Sequence, residues 1–486
     1  MKARGGGITA GFACLIAGCA NVPREAGFGA VQDAVRERIG QRIIWNQATD
    51  ADAAATESVR ELLTLDLSAD QCVQVALLNN RRLQATYEEL GVAQADLVKA
   101  GLLQNPVFIG QVRFPARPAT PFEADVVLNF LDIFILPLRK RAAEAEFERV
   151  KSRVASTVVE HAAQVRCAFY TLQGAKQLRE LRATAAQATE ASAELASRQF
   201  QAGNISELDR SNEQALREQT MAELSLSEGE VRTLRERLNG FMGLWGEDAD
   251  RWQIAGRLPD LPEPELSPDD LESLAVSQRL ELSQARQEIE AVAQSLGLAR
   301  LRRAAGGVTQ LDIGGHYERE PEGIGTAGPS LEITLPLFNQ GQPALARAEA
   351  MWRQSQQHFA ALSAQIRSEV RVAKESMFAA RRLAERYQQI TLPLRERIVQ
   401  ESQLHYNAMQ IGPIQLLQAR QAQLDAGRQY IESLRNYWVS RAELERVVGG
   451  RLPTSSPTMQ PTGTEPSGQQ SHEPERQTQE HGHGGH

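Results

Sequence analysis

Few residues in this chain are of types, and at spacings, that do chemistry. Cys19 ends the run Ile16-Ala17-Gly18-Cys19, behind Lys2, Arg4 and an apolar stretch from Ile8 to Ala17, the layout of a targeting segment that stops at small residues before a thiol. His472, His481, His483 and His486 gather in a tail. Imidazoles on flexible backbone take up Zn²⁺, Cu²⁺ or Ni²⁺ weakly, without the fixed geometry that gives selectivity. Glu207 and Asp209 follow Gly203, Asn204 and Ser206. Carboxylates so placed either favour a helix N-terminus or, repeated around a symmetry axis, form a cation-attracting ring. Cys72 and Cys167 show no CxxC or Cys/His spacing and read as small buried apolar residues. No Ser/His/Asp, Cys/His, P-loop or paired-His pattern lies in the ordered region, so the chain is not read as an enzyme, and no cofactor is expected. A net charge of −8 without a dense Lys/Arg tract argues against nucleic acid.

The elements that carry these residues are mostly long helices. Aromatics make up only 5% of the 486 residues, too few for two or three ordinary globules, and Ala, Gln, Glu, Leu and Arg dominate. Phe200-Gln-Ala-Gly-Asn-Ile-Ser206 and Tyr406-Asn-Ala-Met-Gln-Ile-Gly412 match each other, 406 − 200 = 206 residues apart, each between a very long helical run and a shorter returning one. Half the chain repeats the other half. Ser68-Ala-Asp-Gln71 is a capping box opening one helix that ends before Asn105-Pro106. The period then changes to 2 in Pro106 to Phe114 and Asp125 to Asp132, joined by the turn-rich Pro115 to Pro121. From Leu138 to Phe200 the helical period returns, and roughly 60 residues span about 90 Å. Its alanine-rich end, Ala183 to Ala196, suits close packing against a return from Glu207 to Phe241.

A linker with Trp245 and Trp252 ends in Ser267-Pro-Asp-Asp270, a helix start. The earlier order then repeats: strands Gln310 to Tyr317 and Ser330 to Leu337, a long helix Ala344 to Tyr406, a return Ile414 to Val448. Pro393 falls inside the second rod, where it removes a hydrogen bond and bends or breaks the helix; the first rod has Gln187 there. The boundaries expected are 1–18 (signal), 19–66 (extended segment), 67–243 (first repeat), 244–267 (linker), 268–450 (second repeat) and 451–486 (disordered His-containing tail).

Strands of roughly 8 to 10 residues are long enough to cross an outer membrane when tilted. Four cannot close a barrel, and open edges in hydrocarbon cost several kcal/mol per unpaired group. Either the strands form a soluble β-layer packed on helices, or several copies of the chain must contribute to one barrel; two copies give eight strands, and three give twelve and room for an aqueous lumen.

Two resemblances follow. The N-terminus resembles the lipobox of bacterial lipoproteins, which implies cleavage before Cys19 and acylation of its thiol and new amine; Ala20 rather than Asp then favours the outer membrane. The stretch Leu65-Asp-Leu-Ser-Ala-Asp-Gln-Cys-Val-Gln-Val-Ala-Leu-Leu-Asn-Asn-Arg-Arg-Leu-Gln-Ala85, the junctions Leu138-Arg-Lys-Arg-Ala142 and Leu335-Pro-Leu-Phe-Asn-Gln-Gly341, and the two turns resemble the TolC family of outer-membrane efflux factors, in particular lipoprotein members serving heavy-metal exporters. The resemblance spans about residues 65 to 450. It implies a mainly α fold with membrane β-strands: a homotrimer with a 12-stranded β-barrel continuing into a long α-helical barrel. It further implies a passive exit duct of a Gram-negative outer membrane, without a catalytic site, driven by an inner-membrane transporter of the resistance-nodulation-division type through a periplasmic adaptor. The expected cargo is heavy-metal cations. The alternatives are a duct for drugs or other organic compounds, a periplasmic adaptor lipoprotein, and a metal-binding or chaperone lipoprotein. The turns would form the periplasmic aperture and adaptor contact, through Gly203, Asn204, Ser206, Glu207 and Asp209 in the first copy and Gln410, Gly412 and Gln415 in the second. The family's second turn often supplies an acidic ring, where this chain offers Gln415. With Pro393 bending only the second rod, the second pair is expected to constrict the closed aperture.

Overall fold

The computed structural model describes residues 21–114, 120–263, 270–308 and 310–452. Cys19, Ser267 and the four tail histidines lie outside the described residues. Two repeats follow an N-terminal segment of α1 (Phe28–Ile39), α2 (Asp50–Leu62) and β1 (Asp66–Leu67). The first repeat holds α3 (Ala69–Asn79), α4 (Arg81–Ala100), β2 (Val107–Val112), β3 (Phe122–Asn129), α5 (Leu131–Gln201) and α6 (Glu207–Met242). After α7 (Asp248–Arg251) and β4 (Gln253–Ile254), the second holds α8 (Leu271–Gln278), α9 (Leu280–Ala304), β5 (Leu311–Arg319), β6 (Gly325–Ile333), α10 (Gln342–Arg386), a π-helical turn (Tyr387–Thr391), α11 (Leu392–Asn407) and α12 (Pro413–Val448).

The capping box forms as read: Ser68 Oγ accepts from Gln71 N at 3.3 Å and Gln71 Oε1 accepts from Ser68 N at 2.8 Å. The helix it opens is not continuous to Ala100. It breaks at Asn80, whose backbone is extended (ψ 114°) and whose side chain caps the Arg82 and Leu83 amides. The cause is tertiary. Asn80 Nδ2 donates to Phe241 O at 2.8 Å and Asn79 Nδ2 to Gly243 O at 2.8 Å, which satisfies carbonyls left open where α6 ends. Gly243 is left-handed (φ 71°), and a Cβ there would meet Asn80 Cα at 3.0 Å. The second repeat builds the same joint: α8 and α9 part at extended Arg279, which packs on left-handed Gly449 at the end of α12. Gly449 and Gly243 are 449 − 243 = 206 positions apart, the spacing of the two turns.

Three further boundaries differ from the sequence reading. α5 begins at Leu131 rather than Leu138 and runs through Pro137, giving 71 residues and about 106 Å. Its added turns are held because Asn129 Oδ1 accepts from Asp132 N at 3.3 Å, while Arg139 binds Asp132 and caps the end of α4 through Ala100 O and Leu102 O. β6 is Gly325–Ile333, not Ser330 to Leu337: Glu320 and Ile324 close a short turn, and pairing with β5 from Arg319↔Gly325 to Leu311↔Ile333 takes in residues 325–329, which lie between the two strands as read from sequence. α8 begins at Leu271, after Asp270, which sits at φ 72° and makes no side-chain cap.

The linker contains structure too. β4 pairs parallel with β1, and Trp252, buried, donates Nε1–H to Asn239 Oδ1 at 2.8 Å. Trp45 is also buried, its ring tilted at 53° to that of Phe28 and its Nε1–H donating to Glu88. The main core lies here, around the middle of α5, where α1, α3, α4, α6, α9 and α12 all pack. Arg166, almost buried on α5, binds Asp70 at 2.9 Å and Glu445 at 3.0 Å and so ties the first repeat to α12 of the second. Cys72 and Cys167 are both free thiols; burial raises the first to about 12 and the second to about 11. Toward the far end of the rod the α5 residues buried are Ala186, Ala193 and Ala196, so the two axes approach closely, as the alanine-rich stretch implied.

His161 on α5 also reaches Phe241 O, at 2.9 Å. Burial holds its pKa below the ordinary histidine value, against the opposing pull of that hydrogen bond. Below about pH 6.5 the unfolded chain takes up a proton that folded His161 refuses, so stability falls from there until the folded value is reached. Thermal unfolding at pH 7.5 and 5.5 should show a smaller drop on acidification in His161→Gln than in the parent protein.

Candidate functional site

The residues able to act lie at the two ends of the molecule. At one end are the helix turns. Gly203 N donates to Phe200 O and Asn204 N to Gln199 O; in the second copy Met409 N donates to Tyr406 O and Gln410 N to His405 O. Both are the same left-handed helix stop. Gly203 has φ 74° and Met409, its counterpart at 203 + 206, has φ 56°. The sequence match had aligned these residues without showing that methionine must adopt a glycine conformation.

Beyond the stop the copies diverge. Ser206 and Asp209 form a reciprocal capping box: Asp209 N donates to Ser206 Oγ at 3.1 Å, Ser206 N to Asp209 Oδ2 at 3.2 Å, and Ser206 Oγ–H to the same carboxylate at 2.7 Å. Asp209 therefore serves its own helix. Glu207 pairs with Arg210, whose guanidinium lies 4.4 Å over the Phe200 ring, yet the Glu207 side chain stays 62% exposed. In the second turn Gln415 Oε1 accepts from Gly412 N at 2.6 Å; glycine has no side chain to answer, so only half a box forms. Gln410 bonds to His405. Pro393 does not break its rod. A π-helical turn precedes it, with Leu392 N donating five residues back to Tyr387 O, and this absorbs the hydrogen bond proline cannot make.

At the other end is one sheet in the order β2-β3-β5-β6. The repeats meet at β3 and β5, paired from Phe122↔Arg319 to Asn129↔Asp312, and β2 and β6 are open edges. Directly opposed residues share a face. The register therefore places Phe108, Val112, Phe122, Val126, Ile313, Tyr317, Leu331 and Ile333 on one side, all exposed in the single chain. On the other side stand Gln111, Glu123, Asp125, Asn129, Asp312, His316, Glu318 and Glu332, with Val107, Ile109 and Val127 as apolar exceptions. The alternations read from each strand separately thus fall into common faces. Glycine makes the close pairing possible: a Cβ on Gly314 would lie 2.3 Å from Val126 O. No helix among the described residues is long and apolar enough to cross a membrane.

A sheet with one apolar and one polar face, two open edges and two long helical hairpins has the form of a channel wall. The sequence pattern of the outer membrane efflux protein family matches residues 126–244. The cobalt-zinc-cadmium resistance protein CzcC of Cupriavidus metallidurans is 24% identical over 389 residues, covering 79% of this chain and 90% of that protein. Among solved structures, the Campylobacter jejuni CmeC outer membrane channel superposes with a TM-score of 0.68 at 16% identity, over 80% of this chain and 87% of that one. CusC superposes with a TM-score of 0.65 at 17% identity, over 80% and 93%. This chain is similar in sequence pattern and in fold to the outer membrane efflux protein family, a family of channels. It is an efflux channel protein of the Gram-negative outer membrane with the TolC-like fold.

The two helix stops give a direct test of backbone strain. A non-glycine residue in the left-handed region costs about 1 kcal/mol. The Met409 side chain is 94% exposed, and nothing lies within 4 Å of a Cβ on Gly203, so substitutions change little beyond φ preference. Hydrogen exchange should slow about fivefold at amides 409 and 410 in Met409→Gly and speed up by a similar factor at 203 and 204 in Gly203→Ala.

Proposed function

We propose that three copies of this chain form a twelve-stranded barrel and a helical tunnel that passively conduct divalent heavy-metal cations from the periplasm to the exterior. The observation that carries the reading is the four-stranded sheet with one apolar face, one polar face and two unpaired edges. Only closure with other copies satisfies those edges in hydrocarbon, and only an inward polar face leaves a wet lumen. The cargo reading rests on the likeness to a protein named for cobalt, zinc and cadmium resistance; a duct for organic compounds is the second reading. Transport energy comes from an inner-membrane transporter of the resistance-nodulation-division type, joined through a periplasmic adaptor. Acyl chains on Cys19 anchor the protein, each buried methylene adding roughly 0.8 kcal/mol. The tail histidines His472, His481, His483 and His486 bind metal weakly.

We assign the aperture and adaptor contact to the two turns: Gly203, Asn204, Ser206, Glu207 and Asp209 with Gln410, Gly412 and Gln415. Because Asp209 is committed to its capping box, Glu207 is the carboxylate that would line a threefold ring. The π turn before Pro393 gives the second hairpin a helix that shifts register with little cost, so it is the pair that constricts the closed aperture. A closed trimer whose Phe200 turns lie nearer the axis than its Tyr406 turns would overturn that assignment.

Deleting the gene should sensitise cells to cobalt, zinc or cadmium and leave tolerance of dyes and antibiotics unchanged; the reverse pattern supports the organic-compound duct. In reconstituted trimers Glu207→Ala should lower cation selectivity, and unchanged selectivity and open probability would remove the ring.

A further inference from the structure

We propose that Glu123, Asp125 and His316 form a binding site for a divalent transition-metal ion on the polar face of the sheet. The site is separate from the tail histidines and lies toward the hairpin end, away from the rods. It rests on the barrel reading above, in which this face is the channel lining. Strand register brings the donors together. Asp125 stands directly opposite His316, and Glu123 opposite Glu318, on paired strands β3 and β5. One donor atom each from Glu123, Asp125 and His316 lies within 4.8 Å of the others. An ion about 2.1 Å from each of two donors holds them about 3.4 Å apart in a tetrahedron. The remaining gap closes by rotation of side chains that are all partly exposed.

The chemistry of the group separates it from an ordinary surface ion pair. It combines one imidazole with carboxylates, a donor set that suits Zn²⁺, Co²⁺ or Ni²⁺ better than Mg²⁺ or Ca²⁺, which take oxygen alone. His316 Nδ1 lies 2.8 Å from Asp125 Oδ1, and its Nε2 lies 3.9 Å from Glu318 Oε2, so carboxylates flank both ring nitrogens. Three carboxylates face one guanidinium, that of Arg113, which binds Glu123 at 2.6 Å and reaches Glu318 at 3.9 Å. Counting neutral His316, the cluster carries 3 − 1 = 2 negative charges, which a divalent cation balances. Binding an ion frees Glu123 from Arg113 and leaves the single proton of neutral His316 on whichever ring nitrogen does not ligate. Arg113 is thus the internal competitor for the site. Three such sites would ring the lumen on the route of any departing cation.

The test uses the full-length trimer in detergent with His472, His481, His483 and His486 changed to Asn, so that the tail supplies no imidazole, and Co²⁺ as the probe. Its visible absorption reports nitrogen and oxygen ligation, and titration gives stoichiometry. One Co²⁺ per chain is expected. His316→Ala and Asp125→Asn should each weaken binding at least tenfold and remove the absorption change, while Arg113→Gln should tighten binding severalfold. Trimer size and circular dichroism check the fold of each variant. The opposite direction expected for Arg113→Gln separates ligand loss from general damage. Binding that is absent in the tail-substituted parent, or unaffected by His316→Ala and Asp125→Asn, overturns the site. Failure of that parent trimer to conduct K⁺ overturns the barrel reading instead; normal K⁺ conductance without Co²⁺ binding removes the site alone.

Discussion

The constraint on which this architecture depends is the backbone hydrogen bonding of a sheet that stops at four strands. β2 and β6 each leave one row of N–H and C=O groups without a partner, tolerable against water and ruinous against lipid. The apolar side of the same sheet exposes Phe108, Phe122, Tyr317 and Leu331, a surface that also demands covering. Both demands are met together when the sheet closes with copies of itself inside a membrane. The exposed run Leu335 to Phe338, just past β6, falls where barrel would pass into tunnel.

The rods answer a different requirement, reach without a bulky core. The apolar mass is concentrated around the middle of α5, where the joints at Asn80 and Arg279 lock each short helix onto the end of its repeat's returning helix. Farther out the contact between α5 and α6 is made by alanines and by polar links such as Ser192 to Glu213 and Thr189 to Thr220. Such an interface is thin, held by small side chains and polar contacts instead of a bulky apolar core.

Duplication also allowed the halves to specialise. The backbone hydrogen bonds of the two helix stops are the same, yet one stop has glycine in the left-handed position with a full Ser-Asp capping box, and the other has methionine with half a box. The π turn occurs only in the second rod among the described residues. The second tip is therefore the more strained and less capped of the two. The same economy governs charge: Asp209 and Glu207 are adjacent acids with different employment, because a side chain two positions further into the helix can reach back to its cap.

Much of this was legible in the residues themselves. Periodicity marks the rods, the period of 2 marks all four strands, and the Ser68 box and both turns are local hydrogen-bond patterns encoded within a few positions. The 206-residue repeat needed only comparison of the chain with itself. What sequence could not supply was anything set by partners distant along the chain. The break at Asn80 exists because Phe241 and Gly243 need donors, the early start of α5 because Arg139 caps α4, and the true span of β6 because β5 fixes its register. Glu123, Asp125 and His316 passed unnoticed as alternate polar positions on separate strands, and only pairing across 191 residues puts Asp125 beside His316. Local preference decided which elements form; long-range hydrogen bonding and register decided where they stop and which side chains meet.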